Sequence, residues 1–302
     1  MKRISLIVLA ATVAALMAAT TAIARTDQEK TVLAPSKSGY APVNGVEIYY
    51  EIYGEGKPLV LLHGGFESIE MFAPIMPILA AGRQVIAVDL QGHGRTLPFE
   101  RPMTFANMAT DVAGLIRYLG FEKADVMGDS LGGSTALRLA LDHPEVIDKL
   151  ILVSTPYAFS GWHEFNAQGM KHIAAEPGKA AEELRNTPLY ESYAAIAPDA
   201  GNWDKLVEQT GRLLGQEYDW SNEVRHMQMP TLLIAGDWDA VRTSHTVKFF
   251  ELLGGGLHDA LWDGSGMNAN RLAILPGLTH YTIFTDPRLA ETATAFLDAP
   301  AR

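Results

Sequence analysis

Ser130 stands at the centre of Gly128-x-Ser130-x-Gly132, inside "VMGDSLGGSTAL" (126–137), with an apolar run before it and a helix-like run after it. A serine hydroxyl is inert near neutral pH and becomes a nucleophile when a neighbouring base takes its proton. The spacing alone carries little weight in a chain with 27 glycines. Its context, strand then sharp turn then helix, is that of a nucleophile elbow. Glycines at 128 and 132 suit such a turn, because a side chain there would strike the adjoining strand or helix. A helix opening at Leu131 would aim its amide N–H groups and positive dipole end at charge developing beside Ser130.

The base must be a histidine brought in from elsewhere. Of nine histidines, His63 in "LLHGG" and His93 in "QGHGR" sit in glycine turns, where an imidazole commonly braces the loop. His143 precedes a proline at a helix end, His245 opens a helix, and His258 lies in a glycine-rich stretch. His172 and His226 fall in a long segment between strands. His280 differs, because "LAILPGLTHYTIF" places it directly after the last strand. The order serine, aspartate, histidine along a chain requires a late histidine, and His280 is the last. "LLIAGDWDAV" offers Asp237 and Asp239 as the acid that would orient the imidazole, and spacing does not choose between them. An oxyanion hole needs two backbone donors. Leu131, after the nucleophile, is one candidate; Gly65 in "HGGF" is the other, with Phe66 beside it to line an acyl pocket.

Strands must carry these groups to one edge. "VEIYYEIYG" (46–54), "PLVLLHGG" (58–65), "QVIAVDLQGHG" (84–94), "ADVMGD" (124–129), "LILVST" (150–155), "TLLIAGD" (231–237) and "RLAILPG" (271–277) read as strands. Between them run helical patterns. The clearest has Thr104 as N-cap, Phe105, Met108, Val112, Leu115, Ile116 and Leu119 on one face, and Gly120 at its end. "LGGSTALRLALDHP", "HTVKFFELLGGG" and "RLAETATAFLDA" are others. Continuous Val/Ile/Leu strands separated by helices predict an α/β protein with a mostly parallel sheet covered on both faces. Residues 156–230 show no strand signature but helical stretches near 163–175, 180–186, 188–196 and 202–216. A crossover needs only about a dozen residues, so 157–226 is predicted to be a helical cap above the carboxyl ends of the strands. The core then comprises 45–156 and 227–302.

The first 24 residues are of another kind: Lys2 and Arg3, an apolar stretch from about Ile4 to Met17, and small residues ending in Ala22-Ile23-Ala24. That is the pattern of a secretory signal peptide, and it leads to the expectation of an exported protein, periplasmic or extracellular. Residues 25–44 are polar and read as a leader that becomes ordered near Tyr40. The 302-residue chain has a formal net charge of −11 and no basic cluster, which argues against nucleic acid and anionic lipid as partners. It has no cysteine, so thiolate catalysis and Cys-ligated metal are excluded. The oligomeric state is not legible.

Taken together, "LLHGGFES", "VIAVDLQGHGRT", "VMGDSLGG", "LIAGDWDAV" and "LPGLTHY" resemble, in order and over roughly 46–299, the capped, esterase-like α/β-hydrolases. The resemblance implies Ser130 as nucleophile, Asp239 as acid and His280 as base, with Gly65 and Leu131 as oxyanion donors and no cofactor or metal. It disfavours the relatives that use an aspartate nucleophile, since that position is Ser130. Two departures stand out: Asp129, where the family often has an aromatic residue or His, and a longer glycine-rich segment at 254–266. The expectation is a secreted serine hydrolase acting on a small carboxylic ester or lactone, with activity falling as pH drops below about 6.5 because His280 must be neutral. Perhydrolase or C–C bond hydrolysis on the same triad is the alternative, and a non-catalytic binding protein the alternative of another class. Cap aromatics Tyr157, Phe159, Trp162, Phe165 and Tyr190, with Trp238 beside the acid, suggest an apolar pocket, to which His163 and Asp129 would add polarity.

Overall fold

The apolar runs become the inner strands of one eight-stranded sheet in a computed structural model that describes residues 33–300. The strands are β1 (Lys37–Val43), β2 (Val46–Tyr53), β3 (Lys57–Leu62), β4 (Arg83–Val88), β5 (Ala124–Asp129), β6 (Ile147–Val153), β7 (Thr231–Trp238) and β8 (Arg271–Thr279). Their spatial order is β1-β2-β4-β3-β5-β6-β7-β8. β3 to β8 run parallel, and β1 and β2 are antiparallel additions at one edge. Helices of eight residues or more are α1 (Phe105–Tyr118), α2 (Ser130–Asp142), α3 (Glu164–Ala175), α4 (Pro177–Leu184), α5 (Pro188–Ile196), α6 (Trp203–Leu214), α7 (Thr243–Leu252) and α8 (Pro287–Asp298).

The expected signal peptide, 1–24, and the leader up to residue 32 lie outside the described residues. The rest of the leader needs correction, because β1 occupies Lys37–Val43 and pairs with β2 in register Val43↔Val46. The turn between them is Asn44-Gly45, both at positive φ (51° and 77°), the two-residue hairpin connection whose twist matches the strands. That dipeptide was the signal for a strand before residue 46.

Two apolar layers sandwich the sheet. α1, α2 and α7 cover one face with Met108, Val112, Ile116, Leu137 and Phe249. α8 and the short turns over 69–79 cover the other with Phe72, Leu79, Leu289 and Leu297. Each fully buried side chain of this size stabilises by about 1.5–3 kcal/mol relative to an exposed one. α1 begins and ends as its sequence indicates: the Thr104 side chain accepts the Asn107 N–H at 3.0 Å, and Gly120 beyond its end takes φ 86°.

Between β6 and β7 the elements are helical, as the pattern of 157–226 requires. α6 buries Trp203, Leu206, Val207, Thr210 and Leu213 at helical spacing, and its apolar members join the core layer of α1 and α2. The glycine-rich segment connects α7 to β8. It is held by local bonds such as Gly266 N–H to the Ala260 carbonyl at 3.1 Å, and it turns Leu257, Leu261 and Trp262 to solvent. Among the described residues no helix is long and apolar enough to cross a membrane.

Candidate active site

β5 ends at Asp129 and α2 begins at Ser130, so strand and helix join with no loop between them. The turn forces Ser130 to φ 50°, a left-handed conformation that costs a non-glycine residue of order 1–3 kcal/mol. The flanking glycines make it possible. A Cβ on Gly128 would strike the Gly132 carbonyl, and one on Gly132 would strike the carbonyls of Leu62 and His63. The strain lifts the Ser130 hydroxyl out of the sheet, where it stays partly accessible.

His280 follows directly on β8 and lies 150 residues from Ser130 in sequence, yet its Nε2 is 3.0 Å from Ser130 Oγ. Its Nδ1 is 2.9 Å from Asp239 Oδ1. A buried carboxylate accepts, so Nδ1 donates to it, leaving the Nε2 lone pair to accept the Ser130 hydroxyl. Asp239 is fully used. Oδ1 also accepts the Val241 N–H at 3.0 Å, and Oδ2 accepts Ser154 Oγ at 2.5 Å and the Gly236 N–H at 3.2 Å. Burial alone would raise the Asp239 pKa, but the His280 charge and these bonds outweigh it and hold the carboxyl below its ordinary range. Asp237 is placed elsewhere, accepting the Gly277 N–H at 2.7 Å to tie β7 to β8. The geometry thus separates two aspartates that spacing could not.

The "HGGF" loop faces this row from β3. His63 is buried, its Nε2 accepting the Leu90 N–H at 3.0 Å while Nδ1 reaches the Gly64 carbonyl at 2.7 Å. Burial pulls its pKa down to about 3, so it is a neutral brace, as the glycine-turn reading expects. Gly65 sits beside Leu131: a Cβ on it would lie 3.7 Å from Leu131 Cδ1 and 3.4 Å from Leu214 Cδ1 of α6. The loop, the start of α2 and the cap therefore converge there. Phe66, at φ 65°, turns its ring toward Trp203 of α6, 6.2 Å between centroids.

The aromatic residues divide. Trp162 packs edge-on against His280 at 5.4 Å between ring centroids. With Phe159, Tyr218, Lys171 and Arg242 it also lines a cavity of about 580 Å³ under α3, which Ser130 does not reach. Tyr281 also packs edge-on against the imidazole, and its hydroxyl meets Asn166 of α3 at 3.2 Å. Tyr157 stacks on His245 and Tyr190 packs on Trp203, so both are packing residues. Phe165 is exposed. Trp238 is not brought to Ser130. It is 78 % exposed and borders a second hollow with His163, Asp237 and Arg242 on the outer side of Asp239.

Two residues of the site escaped the sequence reading. Ser154, after β6 and itself at φ 51°, supports Asp239; a polar residue at another strand end was its signal. Glu67 closes the glycine loop, its Oε2 accepting the Gly64 N–H at 3.0 Å beside Asp129. As the nearest carboxylate in sequence after "HGGF", it had a visible signal.

The described fold is shared with known proteins. The family model for the alpha/beta hydrolase fold matches residues 57–191. A fluoroacetate dehalogenase of Burkholderia sp is 36% identical over 229 residues, covering 64% of this chain and 75% of the relative. The 2-hydroxy-6-oxo-6-(2'-aminophenyl)hexa-2,4-dienoic acid hydrolase of Metapseudomonas resinovorans is 25% identical over 87% of this chain and 91% of its own. An enol-lactonase structure from Burkholderia xenovorans LB400 superposes with a TM-score of 0.66 at 21% identity, covering 86% of this chain and all of the other. The chain belongs to the α/β-hydrolase fold family.

Proposed function

We propose that the protein is a serine hydrolase that cleaves a small carboxylic ester or lactone through an acyl-enzyme on Ser130. The observation that carries the reading is the continuous relay Asp239–His280–Ser130, at 2.9 and 3.0 Å, on a strained elbow facing Gly65. Ser130 Oγ attacks the carbonyl carbon as His280 Nε2 takes its proton, and the Gly65 and Leu131 N–H groups stabilise the oxyanion. Collapse of the tetrahedral intermediate expels the alcohol, which leaves with the proton from His280. Water then attacks the acyl-enzyme, again giving its proton to His280, and releases the acid. Asp239 keeps the imidazole in the tautomer that accepts from serine. Relatives that use an aspartate nucleophile are disfavoured as a guide to the chemistry, because that position is Ser130.

C–C bond hydrolysis on the same triad is the second reading, favoured by the likeness to the dienoic acid hydrolase over most of both chains. Glu67 and Asp129 argue against it for an anionic substrate, because carboxyl groups beside the nucleophile repel a substrate carboxylate. The pattern of residues 1–24 supports export, with the mature chain starting at Arg25. The purified protein is expected to hydrolyse members of a p-nitrophenyl ester series from acetyl to decanoyl, with the chain-length optimum sizing the acyl pocket. Turnover equal in wild type and Ser130→Ala would reject the reading; turnover of a vinylogous diketone but of no ester would favour the second.

A further inference from the structure

Asp129 occupies the N-cap of α2, where an aspartate side chain ordinarily accepts an amide N–H of the first turn. It does not. The residue is 3 % exposed, its side chain makes no capping bond, and Oδ1 has no hydrogen-bond partner among the described residues. A carboxylate buried this way forfeits its solvation with nothing in return. The side chain instead turns toward the glycine loop. The point a Cβ on Gly64 would occupy is 3.3 Å from Asp129 Oδ2, and Glu67 Oε2 lies closer still on the Gly64 side. Two carboxyl groups, one from the strand end and one from the oxyanion loop, thus share a single pocket beside His280.

We propose that Glu67 and Asp129 hold one proton between them and so present one negative charge to His280, making the pair a positioning device that sets the pH at which the imidazole becomes a base. Two carboxyl groups this close, Asp129 buried and Glu67 half-buried, oppose each other's ionisation. Burial and the neighbouring carboxylates raise the pKa of both groups, with His280 opposing. The ionisable groups facing His280 are Asp239 and Asp129, from the ends of β7 and β5, Glu67 from the loop after β3, and the Tyr281 phenol. Burial raises the phenol pKa and keeps it neutral. Burial lowers the His280 pKa, and the three acids together reverse that and raise it above 6.5. Glu67 also anchors Gly64, so the shared proton joins the oxyanion loop to the elbow. The inference deepens the serine-hydrolase reading and rests on it for its catalytic consequence.

The test follows His280 by ¹⁵N–¹H NMR through a pH titration of the full-length protein, which requires no substrate and so stands apart from whether any ester is turned over. Removing one carboxyl leaves the other to ionise, so Glu67→Gln and Asp129→Asn are each expected to leave the His280 midpoint near wild type. The double variant removes the charge and is expected to lower the midpoint by roughly one pH unit, the scale of one nearby charge. Single-variant shifts that add up to the double shift would overturn the shared proton, as would a double variant titrating like wild type. A second measurement uses the unmodified chain, so folding of the variants is not limiting. Its Glu67 and Asp129 carboxyl ¹³C signals are expected to move together, with the last proton lost above the ordinary carboxylate range. Independent titration of both near pH 4 would also overturn the proposal.

Discussion

As the proposed base, His280 can act only while neutral, and its surroundings favour the charged form. Burial opposes that charge, but Asp239, Asp129 and Glu67 more than compensate, so the folded pKa lies above 6.5. The sign follows directly: the base is active above this pKa and lost below it. The acid limb of kcat/KM is therefore expected above pH 6.5, higher than the sequence alone suggests, and a pH–rate profile on a neutral ester checks it. Asp239→Asn should reverse the tautomer and lower kcat by about 10⁴-fold with little change in KM. Ser154→Ala removes one bond to a carboxylate that keeps three other partners, so its effect should be about tenfold, the size of a charge-assisted hydrogen bond. Comparable losses from the two variants would mean that Asp239 orients the imidazole only while Ser154 holds it.

At the scale of elements, each reactive group stands at the carboxyl end of a parallel strand: Gly65 after β3, Ser130 after β5, Ser154 after β6, Asp239 after β7 and His280 after β8. This is why so much was legible. Apolar runs locate parallel strands, and in such a sheet the residue that follows each run arrives at the same edge. α1 could be placed to within a residue because a threonine and a glycine punctuate a regular apolar face. Other features were hidden for physical reasons. β1 alternates on an exposed edge without an apolar run, leaving only Asn44-Gly45 to announce it. Asp237 and Asp239 are both at a strand end, and their different directions arise from the backbone after Gly236, where the β7–β8 register shifts. Aromatic residues say that a segment packs, not against what: Tyr190 turns out to pack on Trp203, and Trp238 is exposed at the rim of a hollow beside Asp239. The elbow offers a stability prediction. Gly132→Ala would drive a methyl into two backbone carbonyls of the β3 end, and should cost about 1–3 kcal/mol in urea unfolding. An unchanged midpoint would show that the elbow can relax.

Across the whole molecule, the sheet fixes the relay, and the helices between β6 and β7 lie over it. α6 closes over Gly65 through Leu214 and Thr210, while Trp162 and Tyr281 flank His280 from the α3 side. The acidic pair adds a charge criterion to this enclosure. Of two esters matched in size, one neutral and one bearing a carboxylate next to the scissile carbonyl, the neutral one should have the higher kcat/KM by tenfold or more, about 1.4 kcal/mol. In Glu67→Gln/Asp129→Asn that preference should shrink. An anionic ester preferred by wild type would place the positive field of Arg242 or Lys171, not the acids, in control of binding.

The central claim is that Ser130 becomes covalently attached to the acyl group, and the most direct test is labelling of the full-length protein with a fluorophosphonate, followed by peptide mass mapping. The expected result is one stoichiometric adduct on the peptide containing Ser130, absent from Ser130→Ala and much slower to form in His280→Ala. A folded wild-type protein that stays unlabelled, or that carries the adduct on another residue, would contradict the account.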